Sequence, residues 1–273
     1  MPHAIVNRAR LYYELFDDQT VAGPPVLFHH GYTSSHDSWR AVLDRLRHRH
    51  RCIAMDCRGA GDSEHTEHGY TIAEMAADVV GIANHLGLDR FAYVGHSMGG
   101  VIGMELGLVW ADRLDKLILV APAPADGMQL APDERARRRQ LWRARARQQL
   151  IDERMVTGAR ELGREIIAAA VDRALSVSER HHEECWKALR DVRLGHRLGE
   201  ITTPTLVVSA AADAMLTSNL DDFRRLPNAT LHVFSRVGHT IQRELPDELA
   251  VVLDDFLHHG VVTAQTLQAR LTV

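Results

Sequence analysis

Residues 91–103, FAYVGHSMGGVIG, read as a buried strand, a sharp turn and the opening turns of a helix. Phe91, Tyr93 and Val94 suit a strand, and Gly95-His96-Ser97-Met98-Gly99 fits G-x-S-x-G, a turn too tight for large side chains beside its serine. Such a corner exposes the Ser97 hydroxyl above the sheet, where a histidine from elsewhere in the chain can reach it. The helix that follows offers free N–H groups and a positive dipole end, so the Met98 amide is a candidate donor to a developing oxyanion. A pentapeptide alone also fits a Gly-rich turn with a bystander serine, and the rest of the chain decides between the two.

Strand and helix alternate on both sides of this stretch. Ala4 to Phe16 reads as a hairpin of edge strands and Asp17 to Pro25 as a turn-rich loop. Pro25 to His30 is a short apolar strand ending at Gly31, which lets the backbone turn inward and puts the Tyr32 amide where a second oxyanion donor is needed. Trp39 to Leu46 has helical spacing, Arg51 to Asp56 is a strand, and the charges of the Gly-rich loop at 58–63 brace that loop. Ile72 to Leu86 recurs at three and four and ends at Gly87. Leu114 to Val120 is another strand.

From Pro122 to about Gly199 the strands stop. Glu134 to Arg154 carries eight arginines over a seam of Leu141, Ala144, Ile151 and Met155, a solvated basic face from which one or two side chains could turn toward an anionic substrate. Alternation then resumes with a strand at Thr205–Ser209, a helix from Ser218 to Leu226, a strand at Ala229–Ser235 and a helix from Glu244 to His258. The pattern predicts an α/β protein, with a mostly parallel central sheet of about eight strands flanked by helices and a helical cap insertion. The core takes residues 1–121 and 201–260, the cap 122–200, and 261–273 is a tail without assignment.

Ser97, Asp213 and His239 each follow a strand's carboxyl end, where an open parallel sheet binds its ligands. Their order and types suit nucleophile, acid and base: an imidazole takes the serine proton and a carboxylate fixes its tautomer. The rival acids are Asp126 and Asp115, and His29, His30 and His96 flank the pocket as packing or polarity-setting residues.

Together HHGYTSSHDSW, DCRGAGDS, GHSMGG, D-A-M-L and RVGHTIQRELPDELA resemble the α/β-hydrolase fold family across nearly the whole chain outside the insertion and tail. The resemblance implies a cofactor-free enzyme, oxyanion donors at Tyr32 and Met98, and a substrate-selecting cap. One departure is Ser209-Ala210-Ala211-Ala212-Asp213, where relatives usually carry Gly and an acid before the aspartate. Serine at the nucleophile position sets aside the dehalogenase and epoxide-hydrolase branches. Hydrolysis of a small ester or lactone is the leading expectation; carbon–carbon bond hydrolysis or lyase chemistry on an acidic metabolite, and a non-catalytic receptor with a retained triad, are the alternatives.

With 273 residues and a formal net charge of −4, no global basic field calls for nucleic acid. No run reaches the roughly 20 apolar residues of a membrane span, and the first residues lack a signal-peptide core. The expectation is therefore a cytoplasmic enzyme without metal or cofactor, acting on a small molecule, with a homodimer compatible but unspecified. Cys52, Cys57 and Cys185 read as core or near-core thiols, and the His181-His182 and His258-His259 pairs as surface residues without Cys or carboxylate partners at ligand spacing.

Overall fold

Asn7 and Arg8 have φ of 46° and 65°, the backbone of a type I′ turn, whose twist matches the strands it joins. They join β1 (His3–Val6) to β2 (Ala9–Phe16) as an antiparallel hairpin. This computed structural model describes residues 2–17 and 24–269. Most of the loop expected at 17–25, residues 18–23, lies outside the described residues, as does the end of the tail, 270–273.

The sheet continues through β3 (Val26–His29), β4 (Cys52–Met55), β5 (Phe91–His96), β6 (Leu114–Val120), β7 (Thr205–Ala210) and β8 (Ala229–Phe234), in the order β1-β2-β4-β3-β5-β6-β7-β8. β2 is antiparallel to β4, and β4 through β8 run parallel. Every residue of β3, β4, β5 and β7 is buried, as a parallel sheet covered on both faces requires.

Strand alternation sorts these side chains into two cores. Leu27, Ile53, Tyr93 and Leu117 pack toward α2 (Ile72–His85) and α3 (Met98–Val109), while α1 (Arg40–Leu46) covers the other face, on Phe28, Ala54, Val94 and Ile118. α2 starts at a capping box, in which the Thr71 hydroxyl accepts from the Glu74 amide and the Glu74 carboxylate accepts from the Thr71 amide. It stops before Gly87, whose φ of +67° suits glycine.

Between β6 and β7 come α4 (Pro132–Arg143), α5 (Arg147–Thr157), α6 (Arg164–Ser176) and α7 (Trp186–Asp191), with no strand among the described residues there. The single helical run expected over Glu134–Arg154 is broken. Ala146 N–H reaches Leu141 O and Arg145 N–H reaches Trp142 O, the two bonds of a Schellman end. Arg145 takes the left-handed position usually held by glycine (φ 52°) and lays its guanidinium over Trp142 at 4.7 Å. The seam changes too: Ile151 is buried, Met155 is 42% exposed, and Trp142 fills the apolar position.

The core resumes with α8 (Leu216–Phe223), two residues earlier than expected, then α9 (Ile241–Glu244) and α10 (Pro246–His259), which joins α1 on its face of the sheet. The last expected helix is split because the residue before Pro246 is kept out of the helical region (Leu245 φ −140°, ψ 58°). α11 (Ala264–Ala269) occupies part of the unassigned tail.

Candidate active site

The strand order turns back at β3, with β4 on one side and β5 on the other, so a crevice opens at the carboxyl ends of β3 and β5. Ser97 sits there between β5 and α3 with φ 53° and ψ −110°, a strained conformation for a residue with a side chain. The surroundings enforce it. A Cβ on Gly95 would lie 2.1 Å from Gly99 O, and one on Gly99 would lie 2.6 Å from His29 O. The buried Tyr93 hydroxyl donates to Gly99 O (2.8 Å) and ties the strand to the first turn of α3.

The loop after β3 lies directly against the serine, since a Cβ on Gly31 would meet Ser97 Cβ at 3.0 Å and His96 Nδ1 at 2.8 Å. Among the described residues neither the Tyr32 nor the Met98 amide donates a hydrogen bond, and the Ser97 hydroxyl has no hydrogen-bond partner. The Tyr32 phenol, by contrast, donates to His182 O in the insertion at 2.5 Å.

His239 Nδ1 and Asp213 Oδ2 are 2.7 Å apart, and Asp213 Oδ1 accepts from the Met215 amide at 3.1 Å. Burial pushes the Asp213 carboxyl up, but the hydrogen bond and charge of His239 and the Met215 amide outweigh it and hold it below the usual range. With Nδ1 directed at the carboxylate, Nε2 is the imidazole's free nitrogen. The rival acids are elsewhere: Asp126 pairs with Arg225 at 2.6 Å and Asp115 with Arg90 at 2.7 Å. The alanines before Asp213 contribute backbone instead, Ala212 N–H donating to Val237 O (3.0 Å) in the loop that carries His239.

Two side chains pin that loop. His96 Nε2 donates to His239 O at 2.9 Å, and Glu244 accepts from the Gly238 amide (2.9 Å) and the Thr240 hydroxyl (3.2 Å). Burial, helped by His239, lowers the His96 pKa to about 3, so this imidazole stays neutral. His30 is likewise held neutral, at about 4, by burial and then His29; its Nδ1 donates to Gly31 O and its Nε2 accepts from the Cys57 amide. The flanking histidines thus pack and position, as expected. Glu244 carried no signal beyond its place five residues after the histidine.

Ser97, Tyr32 and His239 line a cavity of about 630 Å³ whose other wall is the insertion: Arg137, Arg138, Leu141, Leu150 and Arg154 among others.

The expectation for His181 and His182 is corrected. Both are buried, His182 stacked on Trp142 at 4.2 Å. His181 lies one helical turn from Cys185, and with Cys57 the three bring ligand-capable atoms within 4.8 Å. Residues four apart on a helix are neighbours in space, and the His181–Cys185 spacing carries that signal. His181 Nδ1 is engaged by Arg58 O at 2.9 Å and Cys57 Sγ by Met75 Sδ at 3.3 Å, so the group is bonded within itself and to the chain. His258 and His259 are exposed, but each does have a carboxylate partner, Asp254 at 3.2 Å and Asp255 at 3.9 Å.

A model of the alpha/beta hydrolase fold matches residues 24–160. The chain belongs to the α/β-hydrolase fold family, and it is a hydrolase. It is 30% identical, over 77% of each chain, to 2-hydroxy-6-oxononadienedioate/2-hydroxy-6-oxononatrienedioate hydrolase 1 of Dechloromonas aromatica. Among solved structures it is similar to an esterase from Exiguobacterium antarcticum (22% identity, 93% and 98% of the chains, TM-score 0.84). It is also similar to an enol-lactonase from Burkholderia xenovorans (22% identity, 94% and 99%, TM-score 0.81). No helix among the described residues is long and apolar enough to cross a membrane.

Proposed function

We propose that the chain hydrolyses a small carboxylic ester or lactone through an acyl-enzyme on Ser97. His239 Nε2 takes the serine proton as the hydroxyl attacks the carbonyl, and Asp213 steadies the imidazolium. The oxyanion lies between the Tyr32 and Met98 amides, each such donor being worth about 10² to 10³ in rate. His239 then gives the proton to the leaving alcohol, or to the ring oxygen of a lactone, and a water repeats the sequence on the acyl-enzyme. The helices of 122–200 act as the cap that selects the substrate.

The observation that carries this reading is the 2.7 Å His239–Asp213 contact beside a strained Ser97 whose hydroxyl is uncommitted. Catalytic serine–histidine bonds often tighten only once substrate is present. The test is Ser97→Ala against a chromogenic short-chain ester. A loss of kcat/KM of at least about 10⁴-fold is expected. A variant retaining most of its turnover would remove the mechanism.

A second reading, hydrolysis of a carbon–carbon bond in an acidic metabolite, is favoured by the dioate hydrolase relative and by arginines on the cavity wall. Competition between neutral esters and dicarboxylates separates the two.

A further inference from the structure

The cavity wall carries five arginines and three glutamates, Glu134, Glu153 and Glu244, and the carboxylates are all in use. Glu134 binds Arg137 (2.7 Å) and Arg138 (2.6 Å), Glu153 binds Arg137 (2.8 Å), and Glu244 holds the His239 loop. That leaves three without an ion-pair partner among the described residues: Arg154 on α5 and Arg160 in the loop after it, both exposed, and half-buried Arg243 on α9. Most of the insertion's other arginines are neutralised locally, Arg139 by Glu183, Arg143 by Glu179 and Arg147 by Asp172. Within the run from Glu134 to Arg154, Arg145 lies over the Trp142 ring instead of pairing with a carboxylate, and Arg154 has neither kind of partner among the described residues.

We propose that Arg154 and Arg243 form a carboxylate clamp on the cavity wall, so that the substrate attacked at Ser97 carries a second, ionised carboxylate away from the scissile bond. Both line the cavity that Ser97 lines, one from the insertion and one four residues beyond His239, so an acidic tail bound by the two fixes the substrate relative to the nucleophile. Planar guanidinium forks suit a carboxylate, and a partly desolvated cation without a partner gains from an arriving anion.

The electrostatics agree. Arg154 keeps exposed surface, and desolvation by the groups around it lowers its pKa, as fits a side chain that lines the cavity. Arg243 is pulled down to about 10, first by desolvation and then by the charge of Arg154, so the two cations stand close enough to repel. The carboxylate that favours charged Arg243, Asp37, is already engaged by Arg173 at 2.5 Å. An anion between them relieves both penalties at once.

The inference rests on Ser97 being the reacting group, and the experiment keeps the two apart. Para-nitrophenyl monoesters of succinate, glutarate and adipate are compared with neutral para-nitrophenyl esters of the same acyl lengths, in the wild type, Arg154→Gln and Arg243→Gln. Because the acidic-to-neutral ratio of kcat/KM is taken within each protein, any loss of folded enzyme cancels. The wild type is expected to prefer the best acidic ester by at least about tenfold, and each variant to lose most of that ratio through KM. A wild-type ratio near one, or a ratio unchanged in both variants, overturns the clamp. Calorimetric binding of adipate to Ser97→Ala, weakened at least about tenfold when Arg243→Gln is added, tests the clamp without turnover. Binding that ignores Arg243 overturns it, whereas turnover surviving in Ser97→Ala overturns the acyl-enzyme reading alone.

Discussion

The sheet and the insertion face each other across one cavity and equip it in different ways. On the sheet side the polar groups are two backbone amides, a serine and an imidazole, each held by a turn with no room for a side chain or by a hydrogen bond. On the insertion side they are arginines on helical faces, and their direction depends on which carboxylate each one finds. The first kind of site is rigid because its backbone has no alternative. The second can change its specificity by exchanging one ion pair for another while leaving the chemistry in place, and this is how one fold comes to serve many substrates.

If the sheet side is as unforgiving as this, its glycines should be the most sensitive positions away from the reacting groups. In Gly95→Ala the new methyl meets Gly99 O at 2.1 Å, backbone that cannot yield cheaply. Expected are a loss of kcat/KM of at least about 100-fold and of about 3 kcal/mol in urea unfolding. A silent Gly95→Ala would show that the elbow is softer than drawn.

The buried imidazoles give the core a pH signature. His30 and His96 are lowered from 6.5 to about 4 and about 3. Groups depressed in the folded state contribute stability above their unfolded pKa, and that stability is lost as pH falls below about 6.5 toward the folded values. Unfolding free energy should drop by about 3 kcal/mol between pH 7 and pH 5, and His96→Asn should flatten the slope. A flat profile over that interval would mean that these rings take up their protons as readily in the native state as in the unfolded chain.

The contact between the two regions should give a smaller effect. Tyr32→Phe removes the donor to His182 O and so loosens the loop after β3 from the insertion, while the Tyr32 amide stays. A loss of about 1 kcal/mol is expected, with KM raised several-fold and kcat little changed. A fall in kcat instead would show that the phenol positions the amide as well. Smallest of all is Arg147→Gln, which cuts an exposed pair with Asp172 and should leave the urea midpoint where it is.

What could be read from residues alone follows the same division. Ser97, Asp213 and His239 were legible as candidates because a glycine-flanked serine turn, a strand end and a glycine before a histidine are local constraints; His239 bonds Asp213 and lines the same cavity as Ser97. The Schellman end at Arg145 was hidden because an arginine holds a position where glycine is the signal. The burial of His181 and His182 depends on Cys57, Trp142 and Tyr32, side chains far away in sequence. Nor could the run of basic residues in the insertion tell Arg154 from Arg147. That difference lies in the carboxylate each one finds nearby.

The most direct test of the central claim is intact-protein and peptide mass spectrometry on enzyme quenched in acid during turnover of a chromogenic ester. The account predicts an added mass equal to the acyl group on the peptide containing Ser97, absent from Ser97→Ala. Rapid turnover with no adduct at early times, or an adduct on any other residue, would contradict it.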